Sequence, residues 1–222
     1  MPRPTPTPIF HITAIDNLQL IAKSGLLSKN QVVARGVNFA NIAFQSVQGH
    51  RSVKNVPIAP GGNLHDYVPF HFAPRSPMLM TINAGNVEGC DYRQDDIVHL
   101  KTTVEAVGAA SLPFVFTNYH AVKAFAEFFS DPKDLDKIDW ELFFEFPRLG
   151  GYCKYWNSAH SNARYALRME TRQAEFLVHD SVPLAVLGQI AVRTENMAER
   201  VRGVLANTAW SPEITVIPGW YY

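Results

Sequence analysis

Three short stretches of this sequence carry residue types that could do chemistry. In Phe10-His11-Ile12-Thr13 a histidine and a threonine flank one apolar residue. A strand sends alternate side chains to one face, so both polar groups can enter one cleft. The plainer alternative is a core histidine satisfied by a hydrogen bond. Tyr67-Val68-Pro69-Phe70-His71-Phe72 sets aromatics around a second histidine, ahead of Ala73-Pro74-Arg75-Ser76-Pro77. Its plainer alternative is a buried edge strand and a proline-rich turn. In Thr171–Val178, Glu175 opens the apolar run Phe176-Leu177-Val178. A carboxylate there is costly if buried without a partner, and a strand-entry glutamate facing water is the bland reading.

A fourth region mixes aromatics with cations. Trp140, Phe143, Phe144, Phe146, Tyr152, Tyr155 and Trp156 precede Arg164, Arg168 and Arg172. Such interleaving suits single-stranded nucleic acid, where each stacked base contributes about 1–3 kcal/mol. For Phe143, Phe144 and Phe146 a helical subcore is the preferred reading, and for Tyr152, Tyr155 and Trp156 the functional one. Other chemistries lack their signatures. There is no Gly-x-x-x-x-Gly-Lys loop, no Gly-x-Gly-x-x-Gly and no Gly-x-Ser-x-Gly elbow. The eight histidines show no metal-ligand spacing, so no metal is expected. Two cysteines, Cys90 and Cys153, are too few for a disulfide scaffold and read as reduced thiols of a cytoplasmic protein.

The elements that must position these groups follow from periodicity. Strands are predicted over 9–13, 67–73, 78–82, 96–100, 113–116, 175–178 and 214–217. Helical spacing is found over 18–22 with Gly25 as the stop, and over 102–110, 119–129 and 196–205. Residues 29–65 read as irregular and polar, and a loop of that length suggests binding. Strands scattered from end to end with helices between some of them indicate an α+β domain.

Composition sets the frame. A chain of 222 residues with 47% hydrophobic and 18% charged residues is one globular domain, with no apolar run long enough to span a bilayer. Residues 1–8 read as an extended leader rather than a signal peptide. The net charge is zero, yet residues 1–75 hold seven Lys/Arg against two acids, which leaves the remainder net acidic. Such asymmetry can hide a basic face for phosphates.

Taken in order, Ile9–Leu20, Tyr67–Leu79 and Arg172–Val178 resemble the DarT family of DNA ADP-ribosyltransferase toxins, with Leu112–Ala121 also similar. The resemblance runs from about residue 9 to 206 and is loosest within 29–65 and 127–165. It implies the ADP-ribosyltransferase fold of the poly-ADP-ribose polymerases, a split β-sandwich with helical insertions, as a single domain over 1–222. Residues 29–65 would then be an NAD-binding loop element and 119–175 a substrate-side loop region. NAD would be the ADP-ribose donor, and the acceptor a base in single-stranded DNA, most commonly thymidine. A macrodomain antitoxin of the DarG type would reverse the modification. The resemblance assigns Glu175 and Arg51 to catalysis. It assigns His11, Ile12, Thr13, Leu20, Ser28, Arg51, Tyr67, His71 and Phe72 to NAD. Arg75, Tyr152, Tyr155, Trp156, Arg164, Arg168 and Arg172 fall on the DNA side.

The chemistry can be argued independently. Breaking the ribose–nicotinamide bond builds positive charge on the ribose, and a fixed carboxylate such as Glu175 stabilises that charge more than the ground state. Thymine N3 carries a proton that Glu175 or a neighbour must accept. Competing readings are guanine, RNA, protein or water as acceptor, and a catalytically inert nucleic-acid-binding module.

Overall fold

The structure, a computed structural model, describes residues 3–222. Met1 and Pro2 of the expected leader lie outside the described residues. The strands are β1 (Pro8–Ala14), β2 (Leu26–Leu27), β3 (Tyr67–His71), β4 (Ile97–Thr103), β5 (Phe114–Thr117) and β6 (Phe128–Phe129). They continue with β7 (Arg148–Leu149), β8 (Tyr152–Cys153), β9 (Glu175–His179), β10 (Ser181–Val182), β11 (Gln189–Val192) and β12 (Glu213–Val216). The helices are α1 (Leu18–Ser24), α2 (Lys29–Ala34), α3 (Gln45–Val53), α4 (Pro77–Asn83), α5 (Val104–Ala109), α6 (Trp140–Phe144), α7 (Arg168–Arg172) and α8 (Glu195–Leu205).

Eight strands form one sheet in the order β12-β11-β4-β1-β3-β9-β5-β6. Strand β1 pairs with β4 through seven registered residues but meets β3 only at Phe10 opposite His71. The sheet therefore splits at this seam into two four-stranded halves. Full pairing resumes on the other side, where β3 runs antiparallel to β9 and sets His71 opposite Glu175. Three of the chemistry-bearing residues thus converge where the ladder is interrupted.

Alternation assigns the two faces. Phe70 and Phe72 of the β3 segment and Phe176 of β9 are fully buried on one face, where Phe72 meets Trp140, Phe143 and Phe176 edge-on. Tyr67, Val115 and Leu177 join a smaller buried cluster with Leu64 and Ala121. Local signals explain most elements. Helix α8 buries Met197, Ala198, Val201 and Leu205 on one stripe and starts at Thr194, whose hydroxyl accepts from Met197 N. Helix α1 stops at Gly25, with φ of 72° and a would-be Cβ only 2.7 Å from the Val182 carbonyl oxygen.

Several expectations are corrected. Residues 78–82, expected as a strand, lie in helix α4, because Ser76 accepts a capping bond from Leu79 N and Pro77 occupies the first turn. Residues 119–129 do not form a helix. Asn118 and Glu127 bond each other twice, His120 N donates to Glu170 O, and the stretch folds as turns ending in β6. The helix expected from 102 begins at Val104, since Thr102 and Thr103 complete β4 and the Thr103 hydroxyl caps the helix. Residues 29–65 are not a bare loop, for they contain α2 and α3. Nor is residue 8 part of a free leader. Pro8 opens β1, and buried Thr7 donates its N–H to Glu105 at 2.8 Å. Phe146, expected in a subcore, is 79% exposed beside the Arg148 guanidinium.

Candidate active site

Above the seam lies a cleft of about 390 Å³, within the range that holds small organic ligands. Its floor is the sheet, through His11, Ile12 and Thr13 of β1, Tyr67, Pro69 and His71 of β3, and Glu175 of β9. Its walls are α1, α3 and the segment joining α2 to α3, together with Ser76, Pro77, Met78 and Thr81 on the α4 side.

Glu175 is 1% exposed and fully engaged. Arg51 Nη1 donates to its Oε2 at 2.7 Å, Ala121 N donates to its Oε1 at 3.1 Å, and His120 Nε2 lies 3.7 Å from Oε1. Its own N–H donates to the Thr117 hydroxyl. Burial pushes its carboxyl up, but the adjacent Arg51 charge, with the neighbouring imidazoles and the Arg51 hydrogen bond, outweighs burial and holds it at about 2. Burial also drives His71 and His120 down, against the upward pull of Glu175, so both are neutral near pH 7. Arg51 is therefore the cation that keeps Glu175 ionised.

His11 is anchored by its Nδ1, which donates to the Pro69 carbonyl at 2.8 Å. That bond fixes the tautomer and leaves Nε2 as an acceptor. Burial lowers its value to about 4, so the ring is neutral. Thr13 accepts from Asn17 Nδ2 at 3.0 Å. Tyr67 donates to Gly61 O at 2.6 Å, and burial, aided by the Asp66 charge, raises its phenol to about 12. Two buried polar atoms on the lining residues, Arg51 Nη2 and His65 Nε2, have no partner among the described residues. Such atoms are costly unless a ligand with hydroxyl or phosphate oxygens meets them. This donor set suits a dinucleotide.

Of the residues expected to bind NAD, His11, Ile12, Thr13, Leu20, Arg51, Tyr67 and His71 line the cleft. Ser28 and Phe72 do not. Ser28 is buried and spends its hydroxyl capping α2 for Gln31 N, while Phe72 points to the opposite face of the sheet as alternation requires. His120, Asn17 and Gln173 also line the cleft and were not foreseen. His120 lies in the stretch that reads as helical, and no local spacing ties it to Glu175.

The expected DNA side is redistributed. Arg172 is 3% exposed and its Nη1 donates to the carbonyls of Leu142, Cys153 and Tyr155. Arg168 is buried over the Tyr165 ring and beside Glu145. Tyr152 packs edge-on to Phe10 and against Phe144, and Trp156 is buried. These four are structural braces, because cations interleaved with aromatics here satisfy carbonyls and ring faces internally. Arg164 is exposed but paired with Asp139, Glu141 and Glu145. Tyr155 remains 52% exposed, and Arg75 stacks on Tyr222 with its Nη1 near Lys154 O.

Comparison with known proteins supplies context. The family described as "ssDNA thymidine ADP-ribosyltransferase, DarT" matches residues 10–222. A DNA ADP-ribosyl transferase of Thermus sp. (strain 2.9) is 41% identical over 224 residues, covering 99% of this chain and 98% of that protein. One from Escherichia coli O127:H6 is 31% identical over 216 residues, covering 96% of this chain and 93% of that protein. The structure of Thermus sp. 2.9 DarT in complex with ADP-ribosylated ssDNA is similar at a TM-score of 0.88 and 38% identity, over 100% of this chain and 99% of that one. The same protein in complex with NAD+ gives 0.80 and 36%, over 100% of both chains.

Proposed function

This chain belongs to the DarT family of single-stranded DNA thymidine ADP-ribosyltransferases, and on that premise we propose how its cleft performs the transfer. It is an NAD-dependent DNA ADP-ribosyltransferase with the split-sheet fold of that family. NAD is a substrate here rather than a resident cofactor.

His11 and Thr13 hold the ribose and nicotinamide end of NAD. The His11 Nε2 acceptor suits a ribose hydroxyl, and its neutrality avoids repelling the nicotinamide cation. His71 and Tyr67 line the same floor. As the bond from ribose carbon to nicotinamide nitrogen breaks, its electron pair goes to the nitrogen and neutralises the pyridinium. Positive charge then grows on the ribose. Ionised Glu175 stabilises that charge, and because Arg51, Ala121 N and the sheet hold it in place, little reorganisation is needed. Thymine N3 forms the new bond to the ribose carbon and gives up its proton. A carboxyl held at about 2 is a weak base, so Glu175 is poorly matched to that proton. His120, kept neutral by burial and 3.7 Å from Glu175 Oε1, is the better-matched acceptor.

A duplex would hide N3 in a base pair, so the acceptor base must be unpaired or flipped. Exposed Tyr155 and half-buried Arg75 are the candidates to receive the strand. Among the described residues no helix is long and apolar enough to cross a membrane. We place the enzyme in the cytoplasm, where NAD and single-stranded DNA meet, as a toxin countered by a macrodomain antitoxin of the DarG type. Family membership is the support for that partner.

The observation that carries this reading is the buried, ionised Glu175 paired with Arg51 at the floor of the cleft. The test is incubation with NAD and a panel of short oligonucleotides, read by mass spectrometry. The reading expects the mass of one ADP-ribose on thymine-containing single strands. Label found only on guanine, RNA or protein would assign a different acceptor.

A further inference from the structure

The strongest unassigned feature of the cleft is Asn17. Its side chain is buried, lines the cleft and divides its bonds between two segments. Nδ2 donates to Thr13 Oγ1 at 3.0 Å and to Ala40 O at 3.0 Å, while Oδ1 accepts from Ala40 N at 2.7 Å. One carboxamide thus satisfies both backbone groups of Ala40, as a neighbouring strand would.

Ala40 sits in the irregular stretch between α2 and α3, and residues 39–44 form one wall of the cleft. Among the described residues, the other hydrogen bonds of this stretch are local: Arg35 N to Gln31 O, Gly36 N to Val33 O, Val37 N to Val32 O, Ala43 N to Asn41 Oδ1, and Gln48 N to Phe44 O. The Lys29 ammonium covers the Phe39 ring, but Lys29 belongs to neighbouring α2. Asn17 is therefore the hydrogen-bonded tie between this wall and the sheet. A segment with so few long-range bonds opens at low cost. Ligand affinity is then reduced by the fraction of molecules in which the wall is open.

We propose that Asn17 is a positioning residue that latches residues 38–43 against β1 and so sets the affinity of the cleft for NAD. The inference deepens the functional reading above and rests on it. Aspartate at this position keeps the acceptor for Ala40 N, loses both donors and turns negative charge toward the Ala40 carbonyl. For Asn17→Asp, KM for NAD rises about tenfold or more from the lost bonds and added repulsion. Turnover and KM for the oligonucleotide change by less than about threefold, the pattern of lost ground-state binding. Hydrogen exchange of amides 38–43 accelerates in the same variant.

A merely structural role would lower the melting temperature without separating KM for NAD from kcat. An unchanged KM for NAD, or a fall in kcat alone, overturns the proposal. The wild-type enzyme supplies an independent arm if the variant does not fold. NAD should slow exchange at 38–43, and the oligonucleotide alone should not; no slowing by NAD also overturns it. Failure of the wild type to modify any oligonucleotide would instead sink the functional reading.

Discussion

Replacing Glu175 with glutamine keeps the side chain's size and removes its charge. In the folded protein the carboxyl moves from an ordinary value of 4.5 to about 2, which favours the ionised folded state by about 3 kcal/mol. The folded value is the lower one, so this contribution is complete above about pH 4.5 and is lost as the pH falls through 2. Glutamine leaves the Arg51 guanidinium, 9% exposed, without its counter-charge. We expect Glu175→Gln to lose about 3 kcal/mol at pH 7 and to match the wild type in strong acid. The same carboxylate faces the charge that develops on ribose. Removing one such fixed group from a preorganised site costs about 2.7–4 kcal/mol, so kcat should fall by about a hundredfold to a thousandfold. The assay is mass spectrometry of an oligonucleotide under single-turnover conditions, with NAD affinity measured separately by calorimetry. A folded variant that retains NAD affinity and turns over within about tenfold of wild type would refute the electrostatic role.

Further outcomes follow from the same geometry. Arg51→Lys replaces a planar fork with a point charge, so the Nη1 bond to Glu175 and the second nitrogen cannot both be kept; single-turnover kinetics should show a loss of about a hundredfold. His99 is buried, with its value lowered from 6.5 to about 4 chiefly by burial and partly offset by its bond to Pro74 O. The unfolded chain therefore binds a proton that the native state refuses, and stability must fall as pH drops from 6.5 to 4, by up to about 3 kcal/mol. Urea titrations across that window should give a shallower slope, by one proton, for His99→Gln. Arg172→Met removes three bonds to carbonyls and should cost about 3 kcal/mol or more by urea denaturation. The salt dependence of oligonucleotide binding should stay unchanged in that variant. Tyr155→Ala should do the reverse: stability intact, and oligonucleotide affinity weaker by about 1–3 kcal/mol in a fluorescence titration.

Much of the fold could be read from period-2 alternation. The strands around His11, Tyr67 and Glu175 fall where alternation puts them, and His11 and Thr13 share a face as spacing requires. Short apolar runs were harder. Met78–Ile82 fits strand and helix alike, and the deciding signals were the Ser76 cap and Pro77 just before it. Arg168 and Arg172 of the expected acceptor side are buried, and a guanidinium bonded to three carbonyls, as in Arg172, looks in sequence the same as one awaiting a phosphate.

By itself the sequence determined the α+β class, the histidine–threonine pair of the first strand and the glutamate that opens the ninth, because these depend on neighbours within a few positions. Only the tertiary structure decided which groups meet. Arg51 reaches Glu175 across 124 positions, and His120 and Ala121 reach the same carboxylate across more than fifty. Whether that acid is a solvated strand entry or a buried anion is set at the interrupted ladder of Phe10 and His71, over which the cleft lies. Periodicity reports the face on which a side chain lies. The partners on that face come from distant segments, and their approach fixes both the charge state and the chemistry.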